Sequence, residues 1–75
     1  MEIERLVRMA NDIAHFWQAE PDHEDAVAGI SGHLVRFWDP RMRREIAAHA
    51  AGGGHGLEPL ALEAVRRLPV QASAA

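Results

Sequence analysis

No cysteine, lysine or tyrosine occurs in these 75 residues, and serine appears only as Ser31 and Ser73. Without thiols the chain forms no disulfide and offers no thiolate to a zinc or iron–sulfur site. Nucleophilic catalysis needs a cysteine, or a serine beside a base. Ser31 falls in the middle of an expected helix beside Gly32, and Ser73 lies in the final stretch. Acids are plentiful but gather at helix starts and on polar faces, which is a structural role. No apolar run approaches the roughly 20 residues that span a bilayer. The opening MEIERLVRM carries acids and lacks the apolar stretch of a secretory signal. We therefore expect a cytoplasmic chain that neither spans nor binds a membrane.

Positive charge is also limited. Eight arginines face eleven acids, for a net charge of −3. Nucleic-acid affinity depends on neutralising phosphates, so this balance argues against it. Arginine remains the better cation for bidentate contacts to a partner's carboxylates.

What is present is apolar and helical. Hydrophobic residues make up 48% of the chain, enough for a globular fold. One helical domain over residues 1–68 with a flexible tail at 69–75 fits the length. A core this small supplies only about 3–5 kcal/mol of net stability. With no covalent staple, the chain must rely on helix packing, self-association or a larger partner.

The fold class expected is all-α, a small bundle of three to four helices without strands. Helix one spans about Ile3–Ala19, with Leu6, Ala10, Ile13, Ala14 and Trp17 on one stripe. Met9 and Phe16 share a neighbouring face, which either widens the core contact or stays exposed until another protein covers it. Pro21 interrupts, Asp22 caps, and helix two runs to about Trp38. Gly29, Gly32 and Arg36 fall on one side of it, leaving room for a neighbouring helix, internal or foreign. Helix three spans about Pro40–Ala50, and the glycine-rich Ala51–Gly56 ends it. Helix four starts at Pro59 and ends near Arg67, with Leu62 pointing away from its apolar face.

The most informative stretch is the corner between helices two and three. Proline disfavours helical geometry in the residue before it, suits the first helical position, and follows Asp39 as N-cap. Phe37 and Trp38 place two large rings there, among Arg36, Arg41, Arg43 and Arg44. Aromatic bulk beside arginine is typical of protein–protein contacts. The alternative is that the rings fill the chain's own core while the arginines are solvated.

The sequence HLVRFWDPRMR at His33–Arg43 resembles the signature of the delta subunit of soluble NAD-dependent formate dehydrogenases. RLVRMANDIAHFW at Arg5–Trp17 resembles that family's first helix, and GLEPLALEAV at Gly56–Val65 its last segment. The resemblance implies a non-catalytic accessory subunit of a multi-subunit enzyme that oxidises formate to carbon dioxide and reduces NAD. It implies association with an alpha subunit holding a molybdenum bis-guanylate cofactor, and with beta and gamma subunits. Iron–sulfur clusters, FMN and NAD belong to that parent complex, and no cofactor is expected in this chain. The expected contact set is His33, Arg36, Phe37 and Trp38 with Asp39, Arg41, Met42 and Arg43. Phe37 or Trp38 would anchor the contact, and Arg36, Arg41 and Arg43 would bridge to carboxylates.

Other readings compete. Five histidines invite a metal, but no two are three or four residues apart on a helix. Only His49 and His55, on either side of a loop, have a route to each other. A tight corner followed by arginines also imitates a helix-turn-helix. A small DNA-binding or metabolite-binding regulator is thus the alternative function. In isolation a homodimer would cover Met9, Phe16 or Leu62.

Overall fold

The computed structural model describes residues 2–69, and the expected tail, Pro69 apart, lies outside the described residues. Four helices follow in order: α1 Ile3–Trp17, α2 His23–Phe37, α3 Pro40–Ala51 and α4 Pro59–Arg66. The all-α expectation holds, and no strand occurs among the described residues.

Local chemistry sets most of the boundaries. The Asp22 carboxylate accepts from the Asp25 backbone N–H at 3.0 Å and starts α2. Asp39 does the same for Met42 at 2.9 Å, and Pro40 occupies the first turn of α3. Trp38 and Asp39 take extended backbone, so the chain turns in two residues. The glycine loop ends α3, with Gly54 at φ +66° donating its N–H to the His49 carbonyl at 2.9 Å. Gly54 is buried, and a Cβ there would stand 2.5 Å from Leu62 Cδ1. Only glycine combines that dihedral with that approach.

Helix α4 is held at its start by α1 rather than by its own cap. Glu58 offers no side-chain cap. Instead Asn11 donates through Nδ2 to the Gly56 carbonyl and accepts the Glu58 N–H through Oδ1, both at 2.9 Å. The Glu58 carboxylate turns to His15 Nε2, 2.8 Å away. Ser31, in mid-helix, donates its hydroxyl to the Ala64 carbonyl at 2.9 Å and ties α2 to α4.

Helices α1 and α4 each pack against the other three, while α2 and α3 diverge from the corner. Leu6, Ile30, Leu34 and Ile46 are fully enclosed between them. One open alternative about the surface is decided here and one expectation changes. Met9 is half-buried against the core, and Leu62, expected to point away, also packs against it. The loop that carries Gly54 folds over Leu62, which helical periodicity alone does not reveal. Phe16 remains outside, 77% exposed.

Where α4 ends, Arg67 holds Glu24 of α2 in two bonds, Nη1–Oε1 at 2.6 Å and Nη2–Oε2 at 3.1 Å. The hydrogen bonds and charge of Arg67 lower the Glu24 pKa from its ordinary 4.5. A carboxylate depressed by folding stabilises the fold above its unfolded pKa and loses that contribution as pH falls through the lower folded value. Both groups are exposed, so the effect is small. The melting temperature of Glu24→Gln should converge on that of wild type as the pH drops below 4.5. Curves that stay parallel across that range would contradict the assignment.

Candidate partner-binding groove

The corner residues separate into two groups. Trp38 is only 5% exposed and belongs to the core cluster, so for this ring the structure fits the alternative that it fills the chain's own core, and Phe37 is the exposed candidate anchor. Its extended backbone at the end of α2 turns the indole inward. Phe37, one residue earlier and still helical, points the other way and is 69% exposed. Asp39 is occupied as the cap of α3, and Met42 is half-buried against the core. Arg41 is exposed and pairs with Glu45 one turn along α3 at 3.3 Å.

Arg43 departs most from expectation. Its Nη1 donates to the Val35 carbonyl at 3.0 Å and also to the Trp38 carbonyl. These oxygens lie at the end of α2, where backbone acceptors lack helical partners. Arg43 therefore clasps the corner within the chain through this nitrogen. Replacing Arg43 with alanine should lower stability by about 1 kcal/mol, while Arg41→Ala should stay near wild type. Denaturant unfolding measures both, and equal midpoints would contradict the clasp.

The remaining three, His33, Arg36 and Phe37, line a groove between α1 and α2. The His33 and Phe37 rings lie 4.7 Å apart between centroids, tilted by 43°. Trp17 forms the groove's inner wall, and Phe16 stands edge-on to it at 5.7 Å. The groove continues past His33 to Ile13 and Phe16, so the two phenylalanines flank one surface. Sequence reasoning placed Phe16 on a separate face of α1 and omitted Trp17 from the contact set.

Gly29 and Gly32 explain the groove's shape. A Cβ on Gly29 would stand 2.5–2.6 Å from three atoms of the Trp17 ring, so the indole lies directly on the α2 backbone. One turn further, a Cβ on Gly32 would meet nothing within 4 Å. The side of α2 marked by both glycines is thus filled by Trp17 at one end and open at the other. Arg36, exposed beside that opening, has no carboxylate partner among the described residues.

Histidine chemistry goes elsewhere. His49 Nε2 donates to the backbone carbonyl of His55 at 2.7 Å, so the two residues meet without pairing their rings. His15 and His23 bind the carboxylates of Glu58 and Glu63. No group of three metal-ligating side chains forms among the described residues. None of the helices is long and apolar enough to cross a membrane.

Residues 5–65 match the family model for the NADH-dependent formate dehydrogenase delta subunit FdsD. The chain belongs to this family. The matched span takes in both walls of the groove and the corner that follows it. Membership associates the chain with a formate dehydrogenase complex and agrees with the resemblance carried by His33–Arg43. No curated protein and no solved structure gives a significant match.

Proposed function

We propose that the chain is a non-catalytic accessory subunit that binds the molybdenum-containing alpha subunit of an NAD-dependent formate dehydrogenase and stabilises it or helps assemble it. The observation that carries this reading is the aromatic groove. A chain with two phenylalanines and two tryptophans leaves both phenylalanines on its surface, flanking a groove that also holds an uncommitted arginine. An isolated domain with so little core gains by burying such rings, and a larger subunit can cover them. Without cysteine the chain has no thiolate for an iron–sulfur cluster, in keeping with an accessory rather than electron-carrying role. In this reading the molybdenum bis-guanylate cofactor, the iron–sulfur clusters and FMN are carried by the alpha, beta and gamma subunits of a cytoplasmic complex, which accords with the delta-subunit family.

Co-expression with a tagged alpha subunit tests the proposal. One copy of the chain should be retained per alpha subunit through size-exclusion chromatography. Retention on active, cofactor-loaded enzyme identifies a permanent subunit, while retention only on cofactor-free alpha subunit identifies an assembly factor. An alpha subunit that gains its cofactor and purifies normally without ever holding the chain would overturn both. Salt-dependent DNA binding by the free chain would then favour the regulator reading.

A further inference from the structure

We propose that the α1–α2 groove seats an amphipathic helix of the catalytic subunit, with an aliphatic side chain over Gly32 and a carboxylate on Arg36; this rests on the accessory-subunit reading above.

Charge complementarity names the carboxylate. The chain as a whole is acidic, yet no acid lines either part of the groove. Arg36 stands at its edge with a guanidinium that no described carboxylate engages, and His33 adds a second hydrogen-bonding ring. An arginine fork presented beside apolar walls suits a carboxylate arriving on an otherwise aliphatic surface.

The backbone names the helix. A peptide that binds by strand addition needs a free sheet edge, and the described residues contain no strand. The groove instead follows α2 from Gly29 to Phe37, about two helical turns. Gly32 has only a hydrogen where another residue would carry a side chain, and the space above it is open. That absence lets a foreign helix approach the α2 backbone as closely as the Trp17 ring approaches it at Gly29. Phe37 and Phe16 then close over the flanks of the visitor.

Gly32 also supplies a clean test. Its backbone is helical and a Cβ meets no atom. Leucine has the higher helix propensity, so Gly32→Leu should fold and melt no lower than wild type. It should nevertheless weaken retention on the tagged catalytic subunit by about tenfold or more, as expected when a contact centre is filled. Arg36 is tested through chemistry the chain otherwise lacks. Since the sequence has no lysine, Arg36→Lys introduces its sole side-chain amine. Treating the Arg36→Lys complex with a zero-length carbodiimide should join that amine to an aspartate or glutamate of the catalytic subunit. Mass spectrometry should place the adduct in a segment with aliphatic residues three or four positions away.

Full retention of Gly32→Leu would overturn the proposal while leaving the accessory role standing. So would an adduct to a second copy of the chain, or to a segment without helical patterning. A complex that forms normally with Arg36→Lys and yields no adduct would also overturn it. If wild type is not retained, the accessory role and the occupied groove fall together.

Discussion

Trp38→Ala should unfold the isolated chain. The indole is nearly enclosed at the point where α2 ends, packed into the core with Leu34 and Ile46. Removing a buried tryptophan side chain typically costs about 3–5 kcal/mol. The whole domain, with no disulfide and a small core, has only about that much stability. The far-UV circular dichroism of Trp38→Ala should therefore show largely lost helicity at neutral pH. Trp38→Phe, which keeps most of the apolar volume, should retain helicity with a lower denaturant midpoint. A Trp38→Ala variant as helical and cooperative as wild type would mean that the corner is not anchored by this ring.

Phe37→Ala should give the opposite profile. The ring is largely exposed and meets His33 one turn back along the same helix, so the fold should change by no more than about 0.5 kcal/mol. Binding should suffer far more. Truncating a central aromatic anchor costs about 2 kcal/mol or more, roughly thirtyfold in affinity. A titration of Phe37→Ala against the catalytic subunit reads this directly, and an unchanged dissociation constant would remove Phe37 from the interface. On this proposal the adjacent Phe37 and Trp38 serve different ends: loss of Trp38 should unfold the domain, and loss of Phe37 should weaken its attachment.

That division was not legible in the sequence, although the corner was. Asp22, Asp39, Pro40 and Pro59 act on the backbone beside them, so helix starts follow from residue identity. The apolar stripe of α1 likewise identifies Leu6, Ala10 and Ala14 as core. The direction of Trp38 depends on two extended residues outside any helical period, and periodicity has no bearing on them. Arg43 looks like a surface cation until α2 and α3 are placed so that two carbonyls converge on it. Gly29 and Gly32 mark the right side of α2, but only the packing of Trp17 shows which glycine is filled and which is open. Asn11 gave no signal because its partners are more than forty residues away.

Asn11 has a consequence for how the chain comes into being. An eight-residue helix is too short to persist alone, and α4 receives its first backbone bond from a side chain on α1. On a ribosome α1 emerges long before α4, and until the last helix arrives the earlier helices lack its cover. The first three helices cannot rehearse the whole bundle, so a nascent copy becomes competent only once α4 has emerged.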